Sequence, residues 1–148
     1  MEFCYPAKLT ADKGGNLTVT FRDIPEALTE GRNEREALAE AIECLVAALG
    51  GYVNERREIP QPSRPRRGER LICLPPLAAA KIALYRAMTE SGLTRVGLGK
   101  KLNLSEGAIR RLVDLDHRSH IGQIEAALAV LGKRLVVNIQ DAPPNRRD

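Results

Sequence analysis

The stretch from Thr94 to Leu115 constrains the fold most, because it has the pattern of two short helices joined by a tight turn. Apolar residues in each half are four or three positions apart and fall on one helical face. These residues are Leu98, Leu102, Ile109 and Leu112. Between the pairs, Asn103 tolerates the left-handed backbone of a short turn, and Ser105 can accept the free N–H groups that open the second helix. The pattern predicts two helices packed through one apolar seam.

The other side of the same stretch is basic. With its spacing it resembles a helix-turn-helix of the phage-repressor type, in which the second helix enters the major groove and the first helix holds phosphates. Gly99 and Asn103 stand where that motif usually has Ala and Gly. On this resemblance Glu106 and Arg111 read bases, and an ordinary helical hairpin with a solvated basic face is the alternative. The expected DNA contacts are Arg95, Lys100, Lys101, Ser105, Glu106, Arg110 and Arg111.

Composition limits the classes of protein to which the chain can belong. Its 148 residues, 43% of them apolar, suffice for one medium domain or two small ones. An aromatic content of 3% without Trp argues against a stacking platform for single-stranded nucleic acid. No apolar run approaches membrane-spanning length and no signal-peptide pattern is present, so a cytoplasmic protein is expected. The widely spaced Cys4, Cys44 and Cys73 are expected to be buried free thiols.

The net charge of +4 combines two regions of opposite sign. Residues 1–53 hold five Lys/Arg against nine Asp/Glu, whereas the remaining residues hold eighteen against ten. A basic region suits a polyanion such as DNA, and an acidic region suits a basic protein. The acidic residues could equally be the solvated side of a helix.

The acidic region has the pattern of a small sheet. Residues 3–10 and the alternating residues 17–21 flank a Gly-Gly-Asn turn at 14–16, which predicts a β-hairpin. Residues 27–29 could supply a short third strand. A sheet of this size needs a helix on one face to bury its apolar side chains.

A long helix and a proline-rich segment follow. Asn33 and Glu36 form an N-terminal capping pattern, and apolar residues then keep helical spacing as far as Val53. Residues 54–70 hold three Pro and six Arg, which predicts an extended linker that is either a solvated tether or a further contact for DNA phosphates. Residues 71–74 predict one more short strand.

Four short motifs distinguish the acidic region: Phe21-Arg22-Asp23-Ile24-Pro25, Gly31, Glu34-Arg35-Glu36-Ala37 and Ile59-Pro60-Gln61-Pro62-Ser63. Together with the long helix they resemble the N-terminal domain of HicB-type antitoxins. Proteins of that family pair a truncated ribonuclease-H-like sheet with a DNA-binding domain of helix-turn-helix or ribbon-helix-helix type, and a strand at 71–74 returns to the sheet. The chain has Glu26, Ala27 and Asn33 where the family commonly has Gly, Cys and Thr.

The resemblance implies an antitoxin that binds HicA, a small basic ribonuclease toxin, and represses its own operon. An acidic surface would complement the basic face of a protein that cleaves RNA. The candidate toxin contacts are Asp23, Glu26, Glu30 and Glu34. A ribonuclease-H-type site needs several carboxylates around divalent metal ions, and the first strand offers only Glu2, so no catalytic residues are expected.

The remainder of the chain predicts two helices and a strand. Pro76 can begin a helix that runs to Thr89, and Ser119 can cap another over residues 121–131, closed by Gly132. Residues 133–140 are strand-like, and pairing with the same strand of a second chain would give a two-fold dimer suited to palindromic DNA.

The expected architecture is α+β. Residues 1–74 form the ribonuclease-H-like sheet with one covering helix, 75–140 a helix-turn-helix domain ending in a dimerising strand, and 141–148 a flexible tail. No cofactor is expected, and the loop acids and histidines at 114–120 lack zinc spacing. One alternative is a stand-alone repressor whose N-terminal domain senses a small molecule in an apolar pocket. The other is a metal-dependent nuclease using Glu2, Asp12 or Asp23.

Overall fold

The computed structural model describes residues 2–141, which form a four-stranded antiparallel sheet and five helices. The sheet has the order β3-β2-β1-β4. In chain order the elements are β1 (Cys4–Ala11), β2 (Leu17–Phe21), β3 (Leu28–Gly31), α1 (Glu34–Asn54), β4 (Arg70–Cys73), α2 (Pro76–Ser91), α3 (Arg95–Leu102), α4 (Glu106–Val113) and α5 (Ile121–Val130). The prediction of a mixed α and β fold is confirmed.

The sheet is built on the predicted hairpin. β1 pairs with β2 from Ala7 opposite Phe21 to Ala11 opposite Leu17, and β4 pairs with the other edge of β1. The carboxylate of Asp12 accepts backbone N–H groups inside the connecting turn. The strands predicted at residues 71–74 and 27–29 are both present, as Arg70–Cys73 and Leu28–Gly31.

Helix α1 covers one face of the sheet. Its N-terminus is capped by Asn33, whose Oδ1 accepts the N–H of Glu36 at 2.9 Å. The carboxylate of Glu36 accepts the N–H of Arg32 rather than that of Asn33, so only half of a reciprocal capping box forms. Gly31 brings β3 directly against the first turn of α1, because a Cβ at this position would overlap the backbone nitrogen of Ala37.

The proline-rich segment lies along the sheet end of the molecule instead of forming a free tether. Its Pro60 carbonyl accepts the hydroxyl of Tyr5 at 2.8 Å, and its Ser63 donates to the carboxylate of Asp23 from both N–H (2.8 Å) and Oγ (2.6 Å). Ile59 is 2% exposed. The proline-rich segment has no regular backbone pairing, so hydrogen bonds that involve the side chains of Tyr5, Asp23 and Ser63 hold it in place.

The two regions predicted as separate domains pack on each other. Buried side chains continue from Phe21 in the sheet through Leu84 in α2 to Ile124 in α5 as one hydrophobic cluster. A methyl group added at Gly50 of α1 would lie 3.8 Å from the Cβ of Leu115, an ordinary contact distance. Helix α2 thus belongs to both regions and fixes their relative placement.

Two of the three predicted free thiols are joined. Cys4 and Cys73 stand opposite each other in the pairing of β1 with β4 and form a disulfide. Cys44 is free and half-buried. The prediction of three buried free thiols is wrong because 69 positions separate two residues that the sheet register makes direct neighbours.

Residues 133–140 form no strand in the described chain. Val136, Val137 and Ile139 are 74%, 70% and 87% exposed. A strand requires a hydrogen-bonding neighbour, and within residues 2–141 none is offered to this segment, so the predicted strand is absent from the single chain. All of the predicted tail beyond Asp141 lies outside the described residues. No helix between residues 2 and 141 is long and apolar enough to cross a membrane.

Candidate nucleic-acid interface and acidic surface

Helices α3 and α4 form a pair whose ends are set by local hydrogen bonds. Thr94 caps α3 by accepting the N–H of Gly97 at 3.0 Å, and Ser105 caps α4 by accepting the N–H of Ala108 at 3.1 Å. Asn103 joins them in the left-handed conformation, with φ 55° and ψ 44°. The roles predicted for Asn103 and Ser105 are confirmed, and the turn follows from local chemistry alone.

The seam between the two helices is close. A Cβ at Gly99 would lie 2.5 Å from the carbonyl oxygen of Leu104, so a side chain there requires the turn to shift. Leu98, Ile109 and Leu112 are buried in the seam and Leu102 is partly buried. The predicted apolar face of the pair is confirmed.

The opposite face of the pair carries the predicted DNA contacts. Lys100, Lys101, Ser105, Glu106, Arg110 and Arg111 are all exposed. Arg95, at the start of α3, is only 25% exposed, and its Nη1 lies 3.9 Å from Oε1 of Glu106. The structure therefore leaves six of the seven residues accessible to a partner and places the seventh, Arg95, beside Glu106.

Lys81 of α2 holds the end of α4, a role that sequence analysis did not predict. Its side chain is 1% exposed. Its Nζ lies within hydrogen-bond distance of the carbonyl oxygens of Arg111 (2.9 Å), Asp114 (2.6 Å) and His117 (2.7 Å) and of Oγ of Ser119 (2.9 Å). Burial lowers the pKa of Lys81 and the Asp114 carboxylate opposes that shift. The three carbonyl oxygens can only accept, and only the charged ammonium supplies three N–H donors, so Lys81 is a charged clamp on the loop after α4.

The clamp also corrects the prediction for Ser119. The residue that precedes α5 is His120, which makes no side-chain capping bond. Ser119 is one position too early, and its hydroxyl lies within hydrogen-bond distance of Lys81 and of the Arg111 carbonyl oxygen. The prediction of Ser119 as a helix cap is wrong because a buried ammonium recruits the hydroxyl.

Two of the predicted toxin contacts have partners inside the chain. Asp23 is bound by Ser63. Glu26 accepts the hydroxyl of Tyr52 at 2.7 Å and Nη2 of Arg57 at 2.9 Å. The hydrogen bond from Tyr52 and the adjacent Arg57 hold the pKa of Glu26 below its ordinary value. Both carboxylates help to fasten the proline-rich segment and the end of α1.

The other two candidates differ from each other. Glu34 forms an ion pair with Arg70 of β4. Glu30 of β3 is exposed and has no ion pair among the described residues, as is also true of Glu40 and Glu43 on α1. Glu30 is therefore the one of the four predicted acids that can accept a cation without exchanging an internal partner.

The surroundings of Glu30 form an acidic edge of the sheet, defined here as β3 with the adjoining face of α1. Leu28 of β3 is 62% exposed, and its carbonyl oxygen accepts a hydrogen bond from Sγ of Cys44 at 3.5 Å. That contact brings the turn of α1 that contains Glu40 and Glu43 next to the edge strand. An exposed apolar residue beside unpaired carboxylates suits a partner with a basic surface.

The acids required by the nuclease alternative are not brought together as a metal site. Asp12 is bound within the hairpin turn, Asp23 is bound by Ser63, and Glu2 is exposed. Within residues 2–141 no three His, Cys, Asp or Glu side chains are grouped to hold a metal ion. This includes the acids and histidines between α4 and α5.

Comparison with known proteins identifies the family of the chain. A family model for the HicB-like antitoxin of bacterial toxin–antitoxin systems matches residues 4–83. The chain is 41% identical over 131 residues to antitoxin HicB 2 of Photorhabdus laumondii, which covers 88% of this chain and 92% of that protein. It is 34% identical over 131 residues to antitoxin HicB of Escherichia coli K12 and 33% identical over 132 residues to that of Pseudomonas fluorescens. Each of these two alignments covers 88% of the chain, with 95% of the former protein and 90% of the latter. The chain belongs to the HicB-like antitoxin family of bacterial toxin–antitoxin systems.

Family membership confirms the resemblance recognised in the acidic region. The family model spans the sheet, α1, β4 and the first half of α2. The alignments with the three relatives cover 88% of the chain, and a stretch of that length necessarily includes α3 and α4. The similarity is therefore not confined to the sheet.

Proposed function

We propose that this antitoxin is a non-enzymatic protein with two binding surfaces. The acidic edge of the sheet binds and blocks a HicA-type ribonuclease toxin, and the α3–α4 pair acts as a helix-turn-helix that represses the operon by binding its operator. The observation that carries the DNA-binding part is the exposed face of α4. There, Arg110 and Arg111 have no ion pair within the described chain.

The chemistry of α4 suits the major groove. Arginine can donate two parallel hydrogen bonds to guanine, and a glutamate can accept one from cytosine, so Arg111 and Glu106 are assigned to base edges. Ser105 accepts the N–H of Ala108 through its oxygen, which leaves the hydroxyl proton free to donate to a phosphate. Lys100 and Lys101 are assigned to phosphates as point charges.

A two-fold dimer completes the DNA-binding proposal. Operators of this motif class contain two half-sites, which a symmetric dimer reads with one recognition helix each. Residues 133–140 expose Val136, Val137 and Ile139 and have no strand neighbour within the described chain. The same segment of a second copy would supply the missing hydrogen-bonding partner.

Replacement of Arg111 by Ala tests the DNA-binding part. If Arg111 reads a base, the variant loses about 1–3 kcal/mol of binding free energy for operator DNA and much less for unrelated DNA. Fluorescence anisotropy at one fixed salt concentration, with the upstream region of the operon and a scrambled duplex of equal length, measures both losses. The matched control is Arg35→Ala, which removes an exposed arginine from α1. An equal loss on both duplexes would make Arg111 a phosphate contact.

The toxin-binding part rests on charge complementarity at the acidic edge. A ribonuclease must present cations to the phosphates of its substrate, so its catalytic surface repels cations and attracts carboxylates. Asp23, Glu26 and Glu34 are candidate contacts that already serve internal bonds, whereas Glu30 is free to meet the toxin. We therefore assign Glu30 the main electrostatic role among the four.

Charge reversal at Glu30 tests this assignment. Glu30→Lys places a cation opposite a basic surface, and we expect binding to the toxin encoded beside the antitoxin gene to weaken by about tenfold or more. Lysine is well tolerated on an edge strand, so the fold is expected to persist. The control is Glu125→Lys, an exposed reversal on α5. Calorimetric titration and rescue of growth on co-expression are the two measurements, and unchanged affinity in both variants would move the toxin site away from this edge.

A further inference from the structure

A groove of about 770 Å³ lies between the end of α1, α2 and the start of the α3–α4 pair. Four arginines line it: Arg56, Arg57, Arg86 and Arg95. Burial raises the pKa of Tyr85 in the same wall, and the charges of Arg95 and Arg56 both oppose that shift. An arginine from the sheet region and an arginine from the proposed DNA-binding helices therefore approach the same phenol.

Two of these arginines already have partners within the chain that balance their positive charge. Arg57 donates to Glu26 at 2.9 Å and lies 3.8 Å above the ring of Tyr52. Arg95 faces Glu106 at 3.9 Å. Their positive charge is largely matched by groups of the chain itself.

The other two arginines are not compensated. Arg56 is exposed and takes part in no ion pair within residues 2–141. Behind it, Arg86 lies 6.0 Å from the ring centre of Phe3 and has a buried Nη1 without a hydrogen-bond partner. Glu58 and Glu90 also line the groove, but Glu90 is 3.5 Å from Lys133. The wall formed by α1 and α2 thus keeps a surplus of positive charge.

The backbone holds Arg56 in one place. It has φ 56°, in the left-handed region, and its N–H donates to the Val53 carbonyl oxygen at 3.1 Å. On its other side, the Arg57 N–H donates to the carbonyl of Tyr52 at 2.8 Å, and the Arg57 carbonyl accepts the hydroxyl of Tyr85 at 2.8 Å. These hydrogen bonds fix the backbone at Arg56 and connect it to α2. Helix α2 in turn holds the end of α4 through Lys81.

We propose that Arg56 binds a phosphate of the operator beside the N-terminus of α3. The inference rests on the proposed DNA binding by α4. The first helix of a helix-turn-helix crosses the DNA backbone, and Arg95 begins that helix. Because Arg56 shares a groove with Arg95 and has no acidic partner, the end of α1 adds one backbone contact to the interface. The sheet region then takes part in binding DNA as well as toxin.

The salt dependence of DNA binding by the full chain tests the proposal. Arg56→Asn removes the charge and keeps a residue that tolerates a positive φ, and Arg56→Lys keeps the charge. Arg35→Asn, at an exposed arginine of α1 outside the proline-rich segment, is the matched control. For Arg56→Asn we expect the slope of log K against log salt to become shallower by about 0.9, on operator and scrambled duplexes alike. Arg56→Lys and Arg35→Asn are expected to retain the wild-type slope.

Each outcome bears on a different step of the inference. If wild-type protein binds its operator and Arg56→Asn has the same slope, the Arg56 contact is refuted while DNA binding by α4 stands. A loss confined to the operator would make Arg56 a reader of sequence and would overturn a backbone contact. If wild-type protein binds neither duplex, the repressor function fails and the inference fails with it. Equal melting temperatures of the Asn and Lys variants exclude loss of the fold as the cause of a changed slope.

Discussion

Lys81→Met is expected to lower the free energy of unfolding by about 3 kcal/mol or more, the size associated with leaving several polar groups without partners. Methionine fills the volume of the aliphatic stem, so the change isolates the ammonium. Its removal deprives the carbonyl oxygens of Arg111, Asp114 and His117 of their common donor. Urea unfolding measures the loss, and Lys8→Met, at an exposed lysine of β1, is the control.

A second effect of Lys81→Met is expected on DNA binding. The ammonium fixes the end of α4 and the loop that follows it, so its loss should lower affinity for the operator more than affinity for unrelated DNA. Toxin binding at the acidic edge, as proposed above, should change little, because that surface lies on β3 and α1. A stability loss below about 1 kcal/mol would mean that water replaces the ammonium among the carbonyl groups, and Lys81 would then not be a clamp.

The features that sequence analysis recovered are those set by neighbouring residues. Pro76 begins α2, Asn33 caps α1, and Asn103 turns the chain between α3 and α4 because each conformation depends on the residue itself and its next few neighbours. The apolar spacing of α1, α3 and α4 likewise identified the face that is buried. These local rules position the proposed DNA-binding residues without knowledge of the rest of the fold.

Lys81 shows what local rules omit. Its four acceptors lie 30 to 38 positions along the chain, and no periodicity indicates that they surround one side chain. The only sequence signal is a lysine within an alanine-rich helix whose neighbours Ala80 and Ile82 are apolar. Such a lysine is usually solvated, so the buried clamp becomes visible only when α2 is placed against α4.

For a related reason, sequence analysis could not distinguish the acidic residues that have internal partners from those that do not. Charge counts located an acidic region, but they do not say which carboxylates have partners within the chain. Asp23 is satisfied by Ser63, 40 positions away, and Glu26 by Tyr52, 26 positions away. Glu30 is distinguished only by its place on an edge strand, which follows from the strand order of the sheet. The surface proposed for the toxin therefore depends on topology more than on composition.

Reduction of the disulfide between Cys4 and Cys73 is expected to lower the free energy of unfolding by about 2–4 kcal/mol. The two cysteines are 69 positions apart, so the cross-link removes many conformations from the unfolded chain, while β1 and β4 remain paired through their backbones in the reduced protein. The measurement is urea unfolding with and without reductant, alongside a count of alkylated thiols by mass spectrometry.

The thiol count decides what the stability difference means. One alkylated thiol before reduction and three afterwards identify Cys44 as the free cysteine and the other two as the joined pair. Cys44→Ser should leave the effect of reductant intact, whereas replacement of both Cys4 and Cys73 by Ser should abolish it. Three reactive thiols in untreated native protein, with a stability indifferent to reductant, would instead show that strand pairing alone holds β4 against β1. Strand β4 leads through Leu74 and Pro75 directly into α2. Either result therefore also measures how much the disulfide contributes to joining the sheet to the helices that carry the proposed DNA contacts.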